Sequence, residues 1–356
     1  MSGGKDTYPS AESREQLWQA LIDGDETRAV TVVRRALDTG AAERVLLELI
    51  APAQERVGLA WAANDITVAQ EHAATSISER CVAAVADATA PSLEDAVAGR
   101  VLVACVDGEW HALPARLVSE VLRLRGWRVD YLGAQVPTEH LIAHVHRTGA
   151  QAVLLSSSIP TLLPGAHQAI GACRSVGVPV LAGGAAFGPQ GRYARLLRAE
   201  WAKDASAAAA LLGRNPTRTR AQAVRLPEQD LPHLNDQEYT MVCKTKPQLV
   251  KQTLVDVEEG FPAMRHYSAF QLDRTVEDID FVVSYLATAL YVDDAGLFHR
   301  FITWTADILA ARGVPPWCLL PALESLLTQL KDFPRATGIL GAARHLLTPP
   351  GPAQLA

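Results

Sequence analysis

The chain has 356 residues, with 33 lysine and arginine against 39 aspartate and glutamate, a net charge of −6 and 49% hydrophobic residues. This composition excludes wholesale disorder, and at roughly 100–200 residues per domain the length predicts two or three domains. A mildly acidic chain also lacks the electrostatic footprint of a nucleic-acid binder, and its conspicuous basic residues, Arg214, Arg218, Arg220 and Arg225, fall together in one linker-like stretch.

The N-terminal stretch MSGGKDTYPSAESRE is polar and contains no apolar targeting segment. Residues 10–90 then read as a four-helix bundle. Ser10 and Ser13 offer N-caps before Glu15 to Leu21, and Ala29 to Leu37 has apolar residues at helical spacing. Val45 to Trp61 repeats the pattern through Leu46, Leu47, Leu49, Ile50, Val57 and Leu59, and a fourth helix is expected from Thr67 to Ala88.

From residue 100 to 213 apolar runs of strand length alternate with helical patterns. The strands are VLVACV from Val101, WRVDYLG from Trp127, AVLLSSS from Ala152, PVLAGG from Pro179 and a short segment at Trp201–Lys203. Helices follow each, opening at Pro137–Thr138, spanning Pro164–Ser175, lying near Tyr193–Ala199 and ending with Ala205–Leu212. This alternation predicts a Rossmann-like, five-stranded parallel sheet buried on both faces, with any ligand at the carboxyl ends of the strands. The longest uncharged run, Thr148–Cys173, is interrupted by serine, proline, glycine and histidine. It therefore reads as strand, loop and helix rather than a membrane span.

Residues 214–236 hold three prolines and no sustained period, as a linker does. Residues 237–347 are helical again. One stripe runs through Val276, Ile279, Val282, Val283, Leu286 and Leu290, a second from Leu297 to Leu309, and a third through Leu323, Leu326, Leu327, Leu330 and Phe333. The five cysteines are odd in number, far apart and never arranged as C-x-x-C. This argues against a disulfide framework or zinc knuckle, and points to a reducing, cytoplasmic setting for a soluble protein.

Glu109-Trp110-His111 follows the first strand on a loop at its carboxyl end. A carboxylate two residues before a histidine can hold one ring nitrogen and set the tautomer, as metal-bound histidines require. Ser156-Ser157-Ser158 and Gly183-Gly184 follow the third and fourth strands, where small hydroxyls and bare backbone leave room for a long ligand. In combination these segments resemble cobalamin-binding domains, whose pattern is Asp/Glu-x-His-x-x-Gly, a serine-rich strand end and Gly-Gly. The resemblance implies that His111 is the lower cobalt ligand with Glu109 behind it. It also implies that Ser156, Gly183 and Gly184 line the groove for the displaced nucleotide tail. Pro114 stands where the family has glycine.

Upstream, Trp61 is followed after nine residues by Glu71-His72. This is similar to the signature of CarH-type cobalamin photoreceptors. The resemblance implies adenosylcobalamin under the bundle, with Trp61 and Glu71 covering the upper ligand, and a homodimer built through the bundles. Such regulators begin with a helix-turn-helix domain, for which this chain leaves no space before its bundle. They also carry a histidine directly after the tryptophan, where this chain has Ala62, so His72 is the candidate substitute.

The pattern from Asp280 to Leu327 resembles globin-like sensor domains. A CarH-type module followed by one is similar to the photocobilins, which pair cobalamin with biliverdin. Cationic, hydroxyl and aromatic residues suited to a bilin are Arg265, His266, Tyr267, Tyr285, Tyr291, Arg300 and Trp304, and Cys243 or Cys318 offers a covalent attachment point. The resulting expectation is a light sensor that signals to a separate partner protein, with no nucleic-acid or membrane partner and no enzymatic role. The alternatives are a corrinoid carrier of a methyltransferase system, or a haem-globin sensor with His266 or His299 on the iron.

Overall fold

The computed structural model describes residues 8–89, 98–214 and 231–347, and the chain divides into two compact units at residue 226. Most of the expected linker, with Arg218, Arg220 and Arg225, lies outside the described residues.

The first unit begins with helices α1 (Ala11–Ile22) and α2 (Glu26–Thr39). Ser10 and Asp25 cap them, their side chains accepting the backbone N–H of Ser13 at 3.0 Å and of Arg28 at 2.9 Å. The third helix is not regular, as its apolar spacing suggests. A short α3 (Ala42–Arg44) runs through a π turn, Val45–Ile50, into α4 (Ala51–Ala62). Pro52 explains the widening: it has no N–H to give the Glu48 carbonyl, and its ring crowds that turn. Arg14 Nε takes the Glu48 carbonyl instead, at 3.2 Å. Helix α5 (Val68–Thr89) completes the bundle.

The α/β layer follows as β1 (Arg100–Cys105), α6 (Leu113–Leu124), β2 (Arg128–Gly133), α7 (Thr138–Thr148) and β3 (Ala152–Ser156). It continues with α8 (Leu163–Ser175), β4 (Val180–Gly183), α9 (Arg192–Leu196), β5 (Glu200–Trp201) and α10 (Ala205–Arg214). All pairings are parallel, in the order β2-β1-β3-β4-β5. The chain steps outward from β1 to β2, then crosses back past β1 to β3 and on to β4 and β5, so the crevice between the loops after β1 and β3 is the topological switch point. Central β1 and β3 are buried along their length, which is why they read as unbroken apolar runs.

Bundle and sheet share one core. Leu46, Val57, Ile77 and Val82 of the bundle join Val103, Leu122, Leu154 and Leu212 of the layer in a single apolar cluster. A polar clamp closes this junction: Arg125, after α6, donates to both carboxylate oxygens of Glu43 at 3.0 and 2.6 Å, and Ser206 on α10 donates to one of them at 2.9 Å. The hydrogen bond from Arg125 holds the Glu43 carboxyl below its ordinary value of 4.5. Its contribution is therefore present above pH 4.5 and lost as pH falls through the lowered value. Glu43→Gln should cost roughly 1 kcal/mol at neutral pH. Urea unfolding curves of the two proteins should converge on acidification; a gap independent of pH would show that the charge contributes nothing.

The second unit consists of α11 (Glu238–Gly260), α12 (Ala269–Val292), α13 (Ala295–Ala311), α14 (Leu320–Gln329) and α15 (Pro334–Leu347). Two of the three apolar stripes correspond to α12 and α13. The third ends early: α14 stops at Gln329, and Phe333 sits in the turn before Pro334, whose fixed φ opens the next helix. Helix α11 has no clear stripe because lysine, glutamate and Pro247 interrupt it; it buries only Glu238, Val242, Leu249, Val250, Thr253 and Val257. Buried Glu238 caps α15 by accepting the N–H of Arg335 at 3.0 Å and of Ala336 at 2.8 Å. Among the described residues no helix is long and apolar enough to cross a membrane.

Candidate functional site

Loops from three strands converge on one residue, Glu109, at the switch point. Beyond β1 the chain turns through Gly108, whose φ is +81°, and the Glu109 N–H donates to the Val106 carbonyl at 2.9 Å. Glu109 is fully buried. Its Oε1 accepts the His111 backbone N–H at 2.9 Å and faces His111 Nδ1 at 2.6 Å. Its Oε2 accepts from the Ser157 hydroxyl at 3.1 Å and from the backbone N–H of Ser158 and Ile159 at 2.6 and 3.2 Å. The Gln135 N–H, after β2, donates to the Glu109 carbonyl at 3.1 Å. Burial opposes ionisation of Glu109, but the bonds from the His111 ring and from the His111 and Ser158 backbone prevail and bring its pKa down to about 2.

An ionised Glu109 accepts only, so Nδ1 of His111 carries the proton toward it and Nε2 is left with a bare lone pair on a half-exposed ring. The hydrogen bond to Glu109 raises the His111 pKa, and Glu71 of α5 adds to the shift. Two further side chains fix the carbonyls beside the ring. Tyr131 Oη donates to the Ala112 carbonyl at 3.3 Å, and Cys105 Sγ lies 3.9 Å from the His111 carbonyl. Burial pushes both Tyr131 and Cys105 up to about 12, which keeps them as donors. A register shift between Val103 and Ala104 pairs Tyr131 and Gly133 with successive β1 residues, just below this loop. Nothing local in the sequence marks Tyr131, 19 residues from its acceptor. Pro114, the departure from the family pattern, occupies the first turn of α6, where its missing N–H has no partner to lose.

The upper-face candidates lie in the bundle. Trp61 lies in the last turn of α4, half-buried against the shared core. A turn with Asn64 at φ +63° leads to Thr67. Thr67 and Gln70 cap α5 reciprocally: Gln70 Oε1 accepts the Thr67 N–H at 3.0 Å and Thr67 Oγ1 the Gln70 N–H at 3.2 Å. Spacing and turn together put Trp61 and Glu71 on opposite arms of one junction, with Glu71 in the positively polarised first turn of α5. Thr75 Oγ1 donates to Glu71 Oε1 at 2.9 Å, and Gln54 Nε2 of α4 donates to Thr75 Oγ1 at 2.6 Å. His72 is exposed, its Nδ1 3.5 Å from Glu71 Oε2.

Ser156 is buried at the end of β3, and Gly183 ends β4. Gly184, at φ +101°, brings its backbone so close to Ser157 that a Cβ would lie 2.2 Å from the Ser157 carbonyl oxygen. Gly184 thus serves the packing of the two loops, which the sequence pattern alone does not disclose.

In the second unit the aromatic candidates have separate local partners. The Tyr285 ring stacks on Phe301 at 3.7 Å and 7°, while buried Tyr291 meets Tyr239 edge-on at 4.8 Å. Trp304, one turn beyond Phe301, is exposed, and Arg300 lies 3.6 Å from Asp294. Arg265 and His266 are exposed on a turn at Pro262–His266, and Tyr267 packs on the Val257–Met264–Ala322 cluster. His299 Nε2 donates to the Ile339 carbonyl at 3.1 Å, so that nitrogen is committed to the backbone. Cys243 is exposed and Cys318 half-buried, both as free thiols.

Residues 13–86 match a family model described as a B12 binding domain, and residues 99–210 match a second model of the same description. Over 139 residues, 37% of the chain, the sequence is 32% identical to the HTH-type transcriptional repressor CarA of Myxococcus xanthus, and the match spans 44% of that protein's length. Among solved structures, the monomethylamine corrinoid protein of Methanosarcina barkeri is similar at 19% identity and a TM-score of 0.49, covering 57% of this chain and 97% of its own. A cobalamin-binding protein from Desulfitobacterium hafniense is similar at 22% identity and a TM-score of 0.32, covering 56% and 96%. The two matched stretches coincide with the bundle and with the sheet that carries Glu109 and His111, and the chain from residue 13 to residue 210 is a cobalamin-binding region.

Proposed function

We propose that this region is a light sensor that binds adenosylcobalamin, with His111 below the cobalt and Trp61 and Glu71 over the upper ligand. The observation that carries the reading is the Glu109–His111 pair at the switch point, which leaves the Nε2 lone pair without a proton and within the electrostatic reach of Glu71. Among the described residues no three His, Cys, Asp or Glu side chains group as metal ligands. A lone histidine suits a metal that arrives with an equatorial ligand set of its own, as the cobalt of a corrin does. Bound adenosylcobalamin supplies a cobalt–carbon bond that light can break.

The protein's part is to hold the His111 ring proton on Nδ1 through Glu109, and to let Trp61 and Glu71 contact the upper ligand only while it is in place. Those contacts differ between the intact and photolysed cofactor, and a difference of that kind is what shifts a bundle between two positions. Ser156, Gly183 and Gly184 line the approach for the nucleotide tail. The response passes to a separate partner protein, and the bundles pair two copies of the chain. Absence of a histidine at Ala62 leaves His72, on the exposed side of Glu71, as the histidine nearest the upper face in sequence.

Residues 237–347 fit the photocobilin pattern as a biliverdin module. The Tyr285–Phe301 stack and the exposed Trp304 beyond it supply flat aromatic surface for such a ligand. Arg265 and Arg300 are the cationic candidates for its propionates.

Dark titration of the full chain with adenosylcobalamin should give a bound spectrum with histidine on the cobalt, changed irreversibly by green light. His111→Ala should bind with a base-off spectrum or not at all. A light-stable complex, or a His111→Ala spectrum identical to wild type, would sink this reading. Biliverdin should separately produce a red absorption band, and its failure to do so removes the second chromophore only.

A further inference from the structure

We propose that Gln54 and Thr75 are positioning residues that hold Glu71 for the upper ligand and so set which cobalamin the site prefers. The inference rests on the cobalamin reading above. Its geometry is a two-step chain across the bundle, from Gln54 on α4 to Thr75 on α5 and back one turn to Glu71.

Proton counting fixes the direction of that chain. A threonine hydroxyl has one proton, and here it goes to Glu71 Oε1, an acceptor without a proton of its own when ionised. What Gln54 brings to Thr75 at 2.6 Å must then be its amide N–H. This orientation leaves Gln54 Oε1 buried without a hydrogen-bond partner among the described residues. An amide serving only its own satisfaction would not be expected to leave a buried acceptor unmet. The arrangement instead spends its donor on ordering Glu71, whose side chain otherwise retains several rotamers.

Glu71 Oε1 is thereby tied down, and Oε2 remains beside the exposed His72. Glu71 also lies within electrostatic reach of the His111 ring. Held in place before ligand arrives, it offers a fixed acceptor to hydroxyl or amine donors on an adenosyl group. A small upper ligand such as hydroxide would not reach the same contacts, so the relay should act on the ratio of affinities rather than on cobalamin binding as such.

The test uses the full chain in darkness and compares adenosylcobalamin with hydroxocobalamin by absorbance titration. Wild type should prefer the adenosyl form. Thr75→Val and Gln54→Leu should each cut that preference about tenfold, as loss of an orienting partner typically does, with hydroxocobalamin affinity changed less than twofold. Thr75→Ser should restore the preference, and adding Thr75→Val to Glu71→Gln should cause no further loss. Equal weakening toward both cobalamins in Thr75→Val would reduce Thr75 to a structural role and overturn the inference. So would an unchanged preference. A wild type that binds both forms equally overturns this inference while leaving cobalamin binding intact, and one that binds neither overturns both.

Discussion

Glu109→Ala should lower the stability of the first unit by about 4 kcal/mol and weaken cobalamin binding roughly 10–100-fold. The carboxylate is fully buried and accepts the backbone N–H of His111, Ser158 and Ile159 as well as the Ser157 hydroxyl. Truncation strips each of these donors at once, and a buried donor left without an acceptor costs ~1–3 kcal/mol. Part of that returns if water enters the space, so the sum falls short of simple addition. Glu109→Gln separates the two effects. Its single carbonyl oxygen serves best toward Ser158 and Ile159, where two backbone donors converge. The amide nitrogen then faces His111, where it donates to Nδ1, moves the ring proton to Nε2, the nitrogen a cobalt would need, and leaves the His111 backbone N–H without its acceptor. The glutamine variant should therefore unfold within about 2 kcal/mol of wild type while losing most of the affinity that the alanine variant loses. Urea unfolding and dark titration with adenosylcobalamin measure the two quantities. Equal affinities for wild type and Glu109→Gln would mean that tautomer control by Glu109 is irrelevant.

The contrast between those variants also marks where sequence reading stops. VLVACV and AVLLSSS declare β1 and β3 because strands buried on both faces are apolar at every position. Glu109-x-His111 is legible for a similar reason: both partners lie within one loop, so spacing encodes the contact. The Ser157–Ile159 half of the same carboxylate's environment comes from 48 to 50 residues away, and two of its three donors are backbone groups with no residue signature. Thr75 carries no mark either, since a threonine one turn from a glutamate on a helix is ordinary. Only the fold brings Gln54, 21 residues earlier, against it. Pro52 could have signalled the break in the third helix, but the apolar period running straight through Val45 to Trp61 conceals it. Helix α11 escapes the period for the opposite reason, burying few residues beneath many charges.

Gly184→Ala should cost on the order of 4 kcal/mol, whereas Gly183→Ala, one residue earlier, should cost under about 1 kcal/mol. Gly184 has φ +101° and ψ 165°, a region that residues with a Cβ scarcely enter. Its new methyl would stand 2.2 Å from the Ser157 carbonyl oxygen, 2.9 Å from the carbonyl carbon and 3.2 Å from the Ser157 nitrogen. Ser157 cannot retreat without breaking bonds. Its N–H donates to the Gly183 carbonyl, its carbonyl accepts the Ala186 N–H at 3.1 Å, and its hydroxyl binds Glu109. Relief of the clash must move the β3 loop, and with it the Ser158 and Ile159 donors, away from Glu109. The variant should accordingly lose cobalamin affinity together with stability. At Gly183 a methyl would meet the Ala202 carbonyl at 3.5 Å, an ordinary contact. Gly183→Ala thus folds normally and reports on the ligand alone: a drop in adenosylcobalamin affinity at unchanged melting temperature would locate the bound cofactor at the end of β4. Unchanged affinity would take Gly183 out of the nucleotide groove. Should Gly184→Ala melt with wild type, the close approach of the two loops would not be what holds Glu109's donors in place.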